Sequence, residues 1–144
     1  MSEPADPGAS NFLRVRAFHE RLDGAAPPVP VVPDRATLTL RATLLREEGA
    51  EVLDALERLA ERGDDASLAA FAHELADLLY VAYGSFVACG IDGDAVFEAV
   101  HAANMRKLRG PRRADGKQLK PHGWKAADVA GVIVALRGAA PRAE

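Results

Sequence analysis

TLLREEGAEVLDALERLAERGDDASLAAFAHELADLLY, residues 43–80, decides the fold of this chain. Apolar residues recur through it at helical spacing. Extended to either side, the first stripe runs through Leu38, Leu45, Val52, Leu56 and Leu59, and the second through Phe71, Leu75, Leu78, Ala82 and Ser85. The spacing predicts two helices with a break at Gly63-Asp64-Asp65, because glycine ends a helix and aspartate favours turns and caps. Two acidic pairs lie on these helices, Glu48/Glu51 and Glu74/Asp77, with Glu47 beside the first. Spacing of i, i+3 puts both carboxylates of a pair on one side of a helix, one turn apart. At about 100° per residue Glu48 lies about 40° from the centre of its apolar stripe, and Glu74 and Asp77 lie along the edge of theirs. Solvated charges belong on the opposite face, so both pairs are expected to border the core. Carboxylates gathered at a helix interface repel, and without a cation some must take up protons. A hard divalent ion such as Mg²⁺, which prefers oxygen ligands, removes that conflict.

Outward from this stretch the chain reads as one helical domain. Residues 1–9, rich in Pro, Gly and Ala, are expected to be mobile. Ser10 caps a helix to about Leu22, with Phe12, Val15, Phe18 and Leu22 inward. GAAPPVPVVP, residues 24–33, contains four prolines and is an extended connector. Asp34 caps a long helix to about Arg62. A third helix runs from about Ser67 to Ala88, and a fourth from about Gly93 to Leu108 carries Val96, Phe97, Val100 and Met105. Gly110-Pro111 breaks it, and PRRADGKQLKPHGW, residues 111–124, is a polar, basic loop. A last helix spans about Ala127–Leu136, and residues 137–144 are expected to fray. The expected fold is all-α, resembling a four-helix bundle with short additional helices around carboxylates on facing helices, in a single domain over residues 10–136.

Composition narrows the function classes. Hydrophobic residues make up 49% of the 144, charged ones 27%, and the formal net charge is −3. This is a globular profile without the basic footprint of a nucleic-acid binder. The one cysteine, Cys89, has no intramolecular disulfide partner, and its apolar helical setting makes it a small core residue. No basic n-region with an apolar run opens the chain, and no run of about 18 uncharged apolar residues occurs. The expectation is a cytoplasmic protein with neither nucleic-acid nor membrane partners.

Glu47-Glu48-Gly49-Ala50-Glu51, 22 intervening residues, and Glu74-Leu75-Ala76-Asp77 resemble the EExxE and ExxD motifs of the MazG-like all-α nucleoside triphosphate pyrophosphohydrolases. The resemblance extends through VRAFH (15–19), Arg41 with Leu44-Leu45, LADLLYVAYG (75–84), GID (90–92), VHAANMRKL (100–108) and DGKQLK (115–120), roughly residues 12–130. These segments are similar to the branch that includes phosphoribosyl-ATP pyrophosphohydrolase-like sequences and the MazG-like dUTP pyrophosphatases, and are closest to the latter. In many sequences of the branch the second motif opens with Asp, where Glu74 stands here.

The resemblance implies direct metal ligation by Glu48, Glu51, Glu74 and Asp77, with two or three Mg²⁺ per site and Mn²⁺ as a substitute. Glu47 would orient or deprotonate the attacking water. Asn104, Lys107, Lys117 and Lys120 would hold a nucleoside triphosphate substrate, with Lys107 and Lys117 as the leading pair. Trp124 either stacks on the base or packs, and Tyr80, or Tyr83 in its place, lies near the sugar or in the core. Family members form dimers or dimers of dimers, and the long apolar stripes suit a homodimer. The expected reaction is dUTP and water to dUMP and pyrophosphate. Phosphoribosyl-ATP or another nucleotide is the rival substrate. A non-catalytic helical dimerisation or metal-binding module is the rival of another class.

Overall fold

The computed structural model describes residues 8–139, so the expected mobility of residues 1–7 and fraying of 140–144 lie outside the described residues. Five helices follow in order: α1 (Asn11–Asp23), α2 (Arg35–Arg62), α3 (Asp65–Ala88), α4 (Gly93–Lys107) and α5 (Val129–Gly138). Among the described residues the only β-pairing is an isolated antiparallel bridge between Arg112 and Gln118. The fold is all-α.

Each helix begins on an oxygen-bearing side chain that accepts an otherwise unpaired N–H of the first turn. Ser10 accepts from Leu13, Asp34 from Thr37, Asp64 from Ser67, Asp92 from Asp94 and Ala95, and Asp128 from Gly131. Two expected boundaries move for this reason. Asp64 starts α3 at Asp65 rather than near Ser67, and Asp128 starts α5 at Val129 rather than Ala127. The α5 helix also continues through Gly138, so residues 137 and 138 are helical rather than frayed.

Gly63 ends α2 in the left-handed region at φ 62°, and Asp64 caps α3 immediately afterwards. A connection this short folds the two longest helices back on one another as an antiparallel hairpin, the principal interface of the chain. The α1 helix packs on α3, while α4 packs chiefly on α5 and only lightly on α3, from whose axis it turns by 114°. The proline connector crosses the end of α3: the Val31 N–H donates to the Cys89 carbonyl at 2.9 Å, and Arg137 Nε to the Pro30 carbonyl at 3.1 Å.

Burial departs from the apolar stripes. Phe12, Val15, Val52, Ala55, Val87, Val96 and Ala103 are buried, yet among the described residues no large side chain is fully enclosed. Phe18 and Leu22 on α1, Leu38, Leu45 and Leu56 on α2, and Leu75 on α3 were expected inside and are exposed in the single chain, as are Phe97, Val100 and Met105 on α4. Helical periodicity marks which residues are apolar and leaves open what covers them. Cys89 is half-buried, and burial pushes its thiol up. No single helix among the described residues is long and apolar enough to cross a membrane.

Candidate active site

The hairpin places Glu48 of α2 opposite Glu74 and Asp77 of α3. One carboxylate oxygen from each lies within 4.8 Å of the others, and all three residues are half-buried. Glu48 Oε2 is buried without a hydrogen-bond partner. A buried, unpartnered carboxylate oxygen is costly unless a proton or a cation meets it. Three hard oxygen donors converging on rigid helices, one of them orphaned, fit a magnesium ion.

Glu51 stands at the exposed rim of this group. Its carboxyl is held above the ordinary 4.5, first by the charge of Glu48, then by a hydrogen bond shared with Glu74 and by the charges of Glu74 and Asp77. It is therefore coupled to the cluster although it is not one of the three converging ligands. Glu47 is exposed on α2, and at about 100° from Glu48 it faces solvent beside the cluster.

His73, one turn before Asp77, brings Nε2 to 3.0 Å from Asp77 Oδ2. Sequence reasoning passed over it, although the i, i+4 spacing to a candidate ligand was a usable signal. Arg41 lies two turns before Glu48, about 10 Å along α2. It is partly buried, its Nη2 reaches the Val81 carbonyl of α3 at 3.5 Å, and its Nε is buried without an acceptor. Burial lowers its pKa, opposed by the charge of Asp23. Gly84 sits beneath: a Cβ there would lie 2.6 Å from His19 Nε2 and 3.2 Å from Arg41 Nη2. Tyr80 is exposed and meets Phe18 edge to face, with centroids 5.5 Å apart.

The expected phosphate-binding residues form a second group. Lys107 and Lys120 place their ammonium groups 4.8 and 5.0 Å from the centroid of Trp124. The indole is anchored by donation from Nε1 to the Ala103 carbonyl at 2.7 Å. Lys117 is exposed on a turn closed by the Arg113–Asp115 ion pair. Asn104 is exposed one turn before Lys107. Asp77 lies about 16 Å from the end of α3 and Lys107 about 21 Å along α4. With 114° between those axes, the carboxylates and the lysines occupy different arms of one chain.

The sequence profile of the phosphoribosyl-ATP pyrophosphohydrolase family matches residues 15–104, more than half of the chain and all of the acidic hairpin. The chain belongs to this family. The family lies within the MazG-like all-α nucleoside triphosphate pyrophosphohydrolases, so this chain is a nucleotide pyrophosphohydrolase. The matched span ends at Asn104, ahead of Lys107, Lys117, Lys120 and Trp124. No curated protein shows a significant match.

Proposed function

We propose that the protein is a Mg²⁺-dependent nucleoside triphosphate pyrophosphohydrolase whose substrate is dUTP, with dUMP and pyrophosphate as products. The observation that carries the metal-dependent chemistry is the convergence of Glu48, Glu74 and Asp77 within 4.8 Å around an orphaned Glu48 oxygen. The choice of dUTP rests on the ordered motifs over residues 12–130, closest to the dUTP-hydrolysing branch.

Bound Mg²⁺ supplies charge neutralisation of the polyphosphate and a lowered pKa for water. Glu48, Glu74 and Asp77 would hold it, with Glu51 beside them at the rim. Glu47, free of the cluster and facing solvent, orients the attacking water and takes its proton. The water oxygen bonds to the α- or the β-phosphorus, the bridging P–O bond between those two phosphates breaks at the attacked phosphorus, and dUMP and pyrophosphate separate. Lys107, Lys120 and Asn104 meet the phosphate charge.

The lysines and carboxylates lie on different arms, which supports a working site that takes its lysines from a second copy. The absence of any fully enclosed large side chain among the described residues, with Leu53, Phe97 and Val134 more than 60% exposed, supports a homodimer. Light scattering at micromolar concentration is expected to give the dimer, and a monomer would sink this part. Mixed Glu48→Gln and Lys107→Ala subunits are expected to exceed the residual activity of either variant alone.

Pyrophosphate release from a panel of dUTP, dCTP, dTTP, UTP and phosphoribosyl-ATP with Mg²⁺ tests the substrate. The family match favours one second reading, in which phosphoribosyl-ATP is turned over best. Release from none of the panel would defeat the assigned chemistry.

A further inference from the structure

Gln118 lies within the segment joining α4 to α5. Its side-chain amide carries two hydrogens, and two main-chain carbonyls take them: Nε2 donates to Lys107 O at 2.8 Å and to Gly110 O at 2.7 Å. Lys107 is the last residue of α4, so its carbonyl has no partner within the helix. It accepts from Gln118 and also from the Gly110 N–H at 2.8 Å. The segment closes on itself as well, with the Leu119 N–H donating to Pro111 O at 2.9 Å and the Arg113 N–H to Lys117 O at 2.8 Å. At Gly110 a side chain has no room, because the Leu119 carbonyl and the Pro121 ring lie against it. The loop and the end of α4 are thereby joined as one body, with the Gln118 amide at the joint.

This joint decides where two cations sit. Lys107 comes from the helix and Lys120 from the loop, yet both arrive at the one indole of Trp124. The indole attracts each ammonium, and neither lysine is paired with a carboxylate among the described residues. We propose that Gln118 is a positioning residue, its amide bonds to the end of α4 setting Lys107 and Lys120 as a pre-spaced pair for the oxygens of a polyphosphate. The proposal rests on the reading above that these lysines bind the substrate. Preorganised donors avoid an ordering cost at binding, so the effect belongs in affinity rather than in the chemical step.

Gln118→Met keeps length and apolar bulk and removes both donors. The expected result is a KM for the triphosphate raised about tenfold, the order that two lost hydrogen bonds allow, with kcat little changed and the far-ultraviolet circular dichroism preserved. In a Lys107→Ala/Lys120→Ala background the same substitution is expected to raise KM no further, since the residue acts through those lysines. Trp124 is the only tryptophan of the chain, so its emission reads the lobe directly. Inorganic tripolyphosphate is expected to change that emission in the wild type and to require about tenfold more in Gln118→Met. An unchanged KM and tripolyphosphate titration, or an equal rise of KM on the lysine-free background, would overturn the assignment. Wild-type protein that hydrolyses no triphosphate would refute the proposed function, while the tripolyphosphate titration would still decide the role of Gln118. Should Gln118→Met not fold, Gln118→Asn, one methylene short of both carbonyls, carries the same readouts and the same outcomes.

Discussion

His73 on α3 places Nε2 3.0 Å from the Oδ2 of Asp77, one turn further on. The contact orients a candidate ligand before any ion arrives, as outer partners of metal ligands do. Both side chains are substantially exposed, which limits its strength. His73→Ala is expected to raise the half-saturating Mg²⁺ concentration by less than about tenfold and to leave kcat at saturating Mg²⁺ nearly unchanged. A Mg²⁺ titration of pyrophosphate release checks both, and a lost kcat would mean that His73 serves the chemistry itself.

Glu47 and Glu48 are neighbours in sequence with different expected phenotypes. Glu47→Gln removes a proton acceptor while leaving Glu48, Glu74 and Asp77 in place, so kcat is expected to fall by about 10²–10⁴-fold with Mg²⁺ affinity largely kept. Glu48→Gln and Asp77→Asn remove converging ligands and are expected to weaken Mg²⁺ binding by at least about tenfold, the loss known even for outer partners. Calorimetric Mg²⁺ titration alongside turnover separates the two classes. Near-normal turnover by Glu47→Gln would show that another group takes the proton.

The acidic cluster predicts an unusual dependence of stability on pH. Glu51 is held above 4.5 in the folded chain, mainly by the charge of Glu48, so the folded state binds more protons than the unfolded state in the window just above that value. Stability from this group is present below the unfolded pKa and is lost as pH rises through the folded one. Metal-free protein is therefore expected to melt at lower temperature as pH climbs through that window, and added Mg²⁺ to restore more at the upper end than at the lower. Glu51→Gln is expected to flatten the dependence. Thermal melts across the window, with and without Mg²⁺, give the sign.

Gly84 leaves space that two other helices use. A methyl group there would lie 2.6 Å from His19 Nε2, and His19 is itself held by Asp23 at 3.6 Å and by the edge of Phe18. Gly84→Ala is expected to destabilise the fold by about 1–3 kcal/mol, the usual range for overpacking. The urea midpoint measures it, and an unchanged midpoint would show that His19 and Arg41 rearrange freely.

Where local chemistry decides an outcome, the sequence was sufficient. Ser10 and Asp34 cap the helices expected of them, Gly63 ends α2, and the i, i+3 pairs stand on facing helices. These features depend on residues within one or two turns. The misplaced starts of α3 and α5 have the same local origin, since an aspartate ahead of each helix outcompeted the residue expected to begin it. Contacts made by long side chains over distance were not legible. Nothing in DGKQLK indicates that Gln118 turns back to the end of α4. Nor does it indicate that Lys107 and Lys120, from the helix and from the loop, arrive at one indole.

By itself the sequence determined an all-α chain, a hairpin of its two longest helices and a set of carboxylates at their interface. Periodicity and capping are properties of neighbouring residues, and they survive without knowledge of the whole. Tertiary structure alone decided that Glu48, Glu74 and Asp77 converge while Glu51 stays at the rim, and that the lysines sit on another arm. Those outcomes depend on the register of α2 against α3 and on the 114° turn into α4, which are set by packing among residues far apart in the chain.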